Sequence, residues 1–404
     1  MLFSWFVPVF VNGMCCYTAP MNKVLASYQN VAEMLRANEP RRPVYCIYPE
    51  IYREAAAEFV NGFSGRVLYA VKANDHPEVI RLLVEGGVRH FDCASLAEIE
   101  SVKRISPEAA CYFMTPVRLR GAAREAQSQY GVRHFMVDHQ SGLDSLAAEI
   151  NLGNSVVFAR MAVHHPSAMQ DLSVRFGAPQ EDIPGLLTRI AESGAEAALA
   201  FNVGSNVTDP AAYRYAIGVA EEVLSDLPFK VRLVDIGGGF PKSYPGYVVP
   251  LLTEYFDAVQ GATSALPLQE GGEILAEPGR ALAAPGLSAV VEVLLRKERR
   301  LFLNDGMYGI FWELRFKGHD RFPVRCFRDG VELGGKMEAF RLFGPTCDST
   351  DTLPGEVELP VDIRSGDYLE FGRIGAYSLA GRTNFNGFYS DDIVTIDGDS
   401  PPMA

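Results

Sequence analysis

Between residues 66 and 279, eight short apolar runs alternate with longer segments of helical periodicity. The runs are RVLYAVK (66–72), VRHFDCAS (88–95), CYFMTP (111–116), HFMVDH (134–139), SVVFARMAV (155–163), AALAFNVGS (197–205), VRLVDIGGG (231–239) and EILAEPG (273–279). Segments such as HPEVIRLLVEGG and LAEIESVKRIS separate them, with apolar residues recurring at helical spacing. Eight strands alternating with helices predict an α/β fold, a closed parallel (β/α)8, TIM-like barrel; an open doubly wound sheet is the structural rival.

After about residue 284 the texture changes. GLSAVVEVLLRKERRLFLND, VRCFRDGVEL, EVELPVDI, DYLEFG and DIVTID read as strands joined by turns, without long helices. The expected organisation is therefore a barrel over 50–283 and a second, mostly antiparallel β domain over 284–404. Residues 21–49 form an N-terminal segment whose run PVYCIYP (43–49) joins that sheet. Residues 1–20 are apolar but carry no basic n-region, and Pro8 interrupts the run; they are expected to be a non-native or disordered extension.

A net charge of -13 argues against nucleic acid or an anionic membrane as a partner, because both need a basic face. The seven cysteines, at 15, 16, 46, 93, 111, 326 and 347, form no C-x-x-C pair, which fits a reducing, cytoplasmic setting. The seven histidines form no metal-binding spacing, and no metal is expected.

In a barrel of this kind, reactive groups belong at the C-terminal ends of the strands. Those ends carry Lys72, Asp92, Arg160, Asn202 with Gly204, Gly237 to Gly239, and Glu277 with Gly279 and Arg280. A lone strand-end lysine usually snorkels to solvent; at a barrel mouth it is also an amine able to join a carbonyl cofactor. Three glycines after a strand can be a tight turn or a phosphate cradle, and a carboxylate beside an arginine can be an ordinary salt bridge. Together, an amine, a glycine cradle and an inward carboxylate match what pyridoxal 5′-phosphate requires.

YAVKAND, FDCAS followed by Glu98, LSVRFG, FNVGSN, DIGGGFP, AEPGR, NDGMYG, GPTCDSTD and GAYSLAGRTNFNGF occur in this order from Tyr69 to Phe388. The set resembles the ornithine decarboxylase group of pyridoxal-phosphate-dependent decarboxylases with the alanine-racemase fold. The resemblance implies that Lys72 bonds the cofactor and Glu277 faces its pyridine nitrogen. It implies phosphate contacts from Gly237, Gly238, Gly239, Gly279, Arg280, Ser205 and Tyr377. Asp92, Glu98, Arg160 and Arg175 would line the pocket or orient the lysine. Cys347 would reach in from the other subunit of a homodimer with shared active sites and protonate the carbon left by carbon dioxide, with Asp348 meeting the substrate side chain. The implied reaction converts an amino acid to an amine.

Two positions depart from the family pattern. Asn202 stands where the family usually has a histidine stacked on the cofactor ring. Lys317 stands where ornithine decarboxylases place an aspartate for the distal ammonium, which would disfavour ornithine and lysine and favour a neutral or carboxylate-bearing amino acid. Asp320 and the retained Asp348 could instead bind an ordinary cationic substrate. A racemase would have no use for CDSTD, and a non-catalytic regulator would have no need of Lys72, Glu277, Arg280 and Cys347 together.

Overall fold

The computed structural model describes residues 10–11, 14–15, 25–246, 248–315 and 321–403. Eight strands close into a barrel: β1 (Arg66–Ala70), β2 (His90–Cys93), β3 (Ala110–Phe113), β4 (His134–Val137), β5 (Val156–Met161), β6 (Glu196–Phe201), β7 (Leu233–Asp235) and β8 (Glu273–Ala276). Neighbours around the ring follow chain order, and β8 pairs in parallel with β1 to close it. The closed parallel barrel is the one the alternating pattern predicts; the open sheet is excluded.

Strand parity fills this barrel in layers. Leu68, Tyr112, Met136, Phe158, Ala198, Leu233 and Leu275 form an apolar interior cluster, while the alternate residues Tyr69, Phe91, Phe113, Phe135, Val157 and Val234 pack outward in the large core that includes the surrounding helices. Nearer the N-terminal ends of the strands the interior becomes polar. Arg66 donates to the Tyr112 hydroxyl at 2.8 Å, and the His134 ring stacks on Tyr112 with centroids 3.9 Å apart.

The second domain is a ten-stranded, mostly antiparallel sheet. Its long central strand, Leu287–Lys297, pairs antiparallel with Val44–Ile47, Arg300–Leu303 and Tyr368–Phe371. Two strands of this sheet were absent from the sequence expectation: Ala26–Tyr28, which pairs in parallel with Ile393–Ile396, and Met337–Phe343, which pairs in parallel with Arg300–Leu303. In the latter, Glu338 and Arg341 dilute the apolar signal that identifies the other strands. Of the first twenty residues only a pairing of Phe10–Val11 with Met14–Cys15 is described, so the expectation of a disordered extension lies largely outside the described residues. Among the described residues no helix is long and apolar enough to cross a membrane.

Candidate active site

The interior parity of the strands continues past their ends into one rim. Lys72 follows Leu68 and Ala70, Asp92 follows His90, Arg160 follows Phe158, Asn202 follows Ala198 and Ala200, and Glu277 follows Leu275. Inward-pointing positions of separate strands therefore converge at the C-terminal mouth.

Lys72 lies in a single 3-10 turn, Val71–Ala73, directly after β1. The next helix, Pro77–Glu85, begins at once because His76 caps it by accepting from the Glu78 N–H, and Pro77 occupies its first turn. Lys72 Nζ donates to Asp92 Oδ2 at 3.0 Å. Burial opposes the ammonium, but the carboxylates of Asp92 and Glu277 outweigh it and hold its pKa above the ordinary lysine range. Asn74 is fully buried: its Nδ2 donates to the Gly375 carbonyl at 2.9 Å and its Oδ1 accepts from the His76 N–H at 3.1 Å.

Three buried carboxylates, Asp92, Asp235 and Glu277, cluster at this mouth. Asp235, at the end of β7, accepts the Gly237 N–H at 2.8 Å on Oδ1. Burial, opposed in part by that N–H, pushes Asp235 up to about 7. Burial and the neighbouring Asp235 and Asp92 likewise raise Glu277 well above the carboxylate range. Asp92 Oδ1, Asp235 Oδ2 and Glu277 Oε1 are buried without a hydrogen-bond partner. Lys72 and Arg160 are the cations that offset Glu277.

Beyond β7 the glycines form a bare backbone surface. Gly237 and Gly239 have φ of +71° and +99°, and a Cβ on Gly237 would lie 2.4 Å from the Phe201 carbonyl oxygen. On Gly238 it would lie 2.7 Å from the Glu277 carbonyl oxygen. Asn202 closes one side, its Oδ1 accepting the Gly204 N–H at 2.9 Å, and Ser205 begins the adjacent short strand Ser205–Val207. Arg280 starts the turn after Gly279, where a Cβ would sit 3.1 Å from the Tyr377 hydroxyl. The guanidinium lies 5.2 Å from the Tyr377 ring centroid. Its Nη1 donates to the Tyr244 hydroxyl at 3.1 Å and its Nη2 to Glu313, while Nε is buried without a partner.

Cys347 and Asp348 occupy a different neighbourhood. Cys347 is exposed, with Sγ 3.4 Å from Asn386 Oδ1. Asp348 Oδ1 accepts from the Thr350 N–H at 2.7 Å and its hydroxyl at 2.6 Å. Tyr308 stacks on Phe385 at 4.4 Å, and the Arg315 guanidinium lies over the Tyr308 ring, 4.6 Å from its centroid. Among the described residues no hydrogen bond or ion pair joins this group to Lys72. Lys317 and Asp320 lie outside the described residues. Ser95 caps the helix Leu96–Ile105 by accepting the Glu98 N–H at 3.2 Å, while the Glu98 carboxylate accepts the Ala94 N–H at 2.6 Å; Arg175 packs over Phe176 at 4.7 Å, as Arg160 does at 5.6 Å.

The barrel mouth thus offers what pyridoxal 5′-phosphate demands: an amine, an unpartnered acceptor on Glu277 for a protonated ring nitrogen, and glycine amides beside an unpartnered Arg280 donor for a phosphate. Each buried polar atom left unpaired costs about 1–3 kcal/mol, a cost a ligand of complementary chemistry removes. The residues present fit the cofactor. Sequence reasoning passed over Asn74, Asp235, Tyr244 and Glu313. Asp235 and Asn74 stand inside quoted motifs, whereas Tyr244 and Glu313 carry no local signal.

Residues 50–284 match the family model described as pyridoxal-dependent decarboxylase, pyridoxal binding domain. Residues 196–375 match that described as pyridoxal-dependent decarboxylase, C-terminal sheet domain. Over 348 residues the chain is 31% identical to a lysine/ornithine decarboxylase of Selenomonas ruminantium, covering 84% of this chain and 85% of the relative. Over 356 residues it is also 31% identical to antizyme inhibitor 2 of Xenopus laevis, covering 80% of this chain and 74% of the relative. The arginine decarboxylase of Paramecium bursaria Chlorella virus, solved with agmatine, superposes with a TM-score of 0.81 at 27% identity over 91% of this chain and 99% of that one.

Proposed function

The chain belongs to the pyridoxal-dependent decarboxylases, amino-acid carboxy-lyases of the ornithine, lysine and arginine decarboxylase group, and on that premise we propose that it converts an ornithine- or lysine-like amino acid to its amine. The observation that carries this reading is the unpartnered set at the barrel mouth, Glu277 Oε1 and Arg280 Nε, around the Lys72–Asp92 pair.

Bound pyridoxal 5′-phosphate supplies the electron sink for the pair left on the α-carbon when carbon dioxide departs. Lys72 would anchor it through its amine, with Asp92 holding that amine at the mouth. Glu277 would face the pyridine nitrogen, whose positive charge when protonated would offset the burial that otherwise favours the neutral carboxyl. The amides of Gly238 and Gly239, beside a Gly237 whose own N–H is held by Asp235, would grip the phosphate with Ser205, Gly279, Arg280 and Tyr377, and Arg160 and Asn202 would bound the pocket.

The exposed Cys347 supports a site shared between two copies of the chain. Its thiol would give up its S–H proton to the α-carbon, the general-acid step that completes the amine, and Asp348 beside it would meet the distal ammonium of the substrate. Cys46, Cys93, Cys111, Cys326 and Cys347 are free, which supports a reducing, cytoplasmic setting.

The test is optical. Protein reconstituted with the cofactor should absorb in the visible, and Lys72→Ala should lose that band while keeping the native circular dichroism. An unchanged band in the variant would remove Lys72 from the role.

A further inference from the structure

Arg280 and Glu313 are among the most buried charged residues in the chain, with side chains 5% and 2% exposed. They come from different domains. Arg280 follows the last barrel strand, and Glu313 lies in the 3-10 turn Ile310–Arg315 of the C-terminal domain. That turn is itself fixed, because Asp305 accepts the N–H groups of Gly306 at 2.8 Å and of Ile310 at 3.3 Å.

A long arginine side chain surrenders considerable rotamer freedom when held in one place, and a buried guanidinium needs a counter-charge. Both requirements are met here by groups that leave one of its three nitrogens without a partner. Glu313 takes Nη2, the Tyr244 hydroxyl takes Nη1, and the Tyr377 ring packs 5.2 Å from the guanidinium carbon. Nε alone has no partner. The carboxylate therefore fixes the guanidinium from one side and leaves Nε for another acceptor.

We propose that Glu313 is a positioning residue for phosphate recognition: it holds Arg280 so that Nε meets the cofactor's phosphate, which makes cofactor affinity depend on the C-terminal domain. This rests on the reading above that Arg280 grips the phosphate. The competing physical effect is charge: a carboxylate near a phosphate dianion repels it, so a Glu313 that acted only through its charge would weaken binding. Substitution by alanine and by glutamine separates the two, because the glutamine amide oxygen still accepts from Nη2 without the negative charge.

The experiment compares the affinity of apoprotein for pyridoxal 5′-phosphate with its affinity for pyridoxal, which lacks the phosphate, in wild type, Glu313→Ala, Glu313→Gln and Arg280→Gln. Fluorescence titration provides the affinities, and thermal melts establish that each variant is folded. Glu313→Ala should bind the phosphorylated cofactor about tenfold or more weakly and pyridoxal within about twofold of wild type, with Glu313→Gln recovering most of the loss. Equal losses for both ligands would make Glu313 merely structural and overturn the proposal. Tighter phosphate binding in either Glu313 variant would make it a competitor and overturn it as well. If Arg280→Gln lowers phosphate-specific affinity while Glu313→Ala does not, the positioning role fails alone. If Arg280→Gln leaves that affinity intact, the phosphate reading of Arg280 fails with it.

Discussion

Asn74 donates its side-chain amide to the carbonyl of Gly375 at 2.9 Å, tying the turn that carries Lys72 to the C-terminal domain. The neighbouring strap is a backbone bond, Tyr377 N–H to the Ala73 carbonyl at 2.7 Å. The lysine is thus positioned by both domains. Asn74→Ala strands the Gly375 carbonyl and the His76 N–H, which should cost about 1–3 kcal/mol of stability. Chemical denaturation at neutral pH checks this, and the same variant should bind the cofactor more weakly.

The polar layer of the barrel interior predicts acid sensitivity. Burial, with Arg66 adding to it, pushes His90 down to about 4 and His134 down to about 3. Both folded values lie below that of an unfolded histidine, so the unfolded chain binds more protons, and stability falls as pH drops from about 6.5 toward 4. Above about 6.5 the histidines contribute no pH dependence. His134→Phe keeps a ring against Tyr112 and should remove about 2 kcal/mol of the loss between pH 7 and pH 5. Urea midpoints at the two pH values measure it; an equal drop in wild type and variant would contradict the assignment.

Placing Cys347 in the site of a second copy makes a mixing prediction. Lys72→Ala and Cys347→Ala should each have little activity alone. Mixed after subunit exchange, they should regain about a quarter of wild-type activity, because half the dimers are mixed and each of those has one intact site. Cys347→Ala alone should also release aldehyde in place of part of the amine. Activity that stays absent after verified exchange would place the thiol in its own chain's site or outside the reaction.

Much of the barrel was legible because each strand is a short apolar run bounded by helical periodicity, and strand parity then placed Lys72, Asp92 and Glu277 on one rim. The strand Met337–Phe343 was not legible because charged residues interrupt it and its parallel partner, Arg300–Leu303, lies more than thirty residues away. The pair of Arg280 and Glu313 was hidden for a related reason: Glu313 carries no local signal of burial, and only the docking of two domains sets it against the Arg280 that the barrel motif marks. Asp351 shows the reverse case, a residue in a catalytic-looking motif whose carboxylate accepts the N–H groups of Met307 at 2.7 Å and Thr346 at 3.0 Å and so clamps two loops.

Lys317 is a prediction from sequence position. An ammonium near the distal end of a bound diamine-type substrate raises its energy through like-charge repulsion. Lys317→Asp should therefore lower KM for ornithine and lysine by about tenfold or more, with a smaller change for neutral amino acids. Steady-state kinetics on both groups decide it, and a variant indistinguishable from wild type would place Lys317 away from the substrate.

The most direct measurement is carbon dioxide release from a panel of L- and D-amino acids by the protein reconstituted with pyridoxal 5′-phosphate, with the organic product identified. The account predicts stoichiometric carbon dioxide and amine from at least one basic L-amino acid, abolished in Lys72→Ala and strongly reduced in Cys347→Ala. Cofactor-bound, folded protein that releases no carbon dioxide from any member of the panel would contradict it.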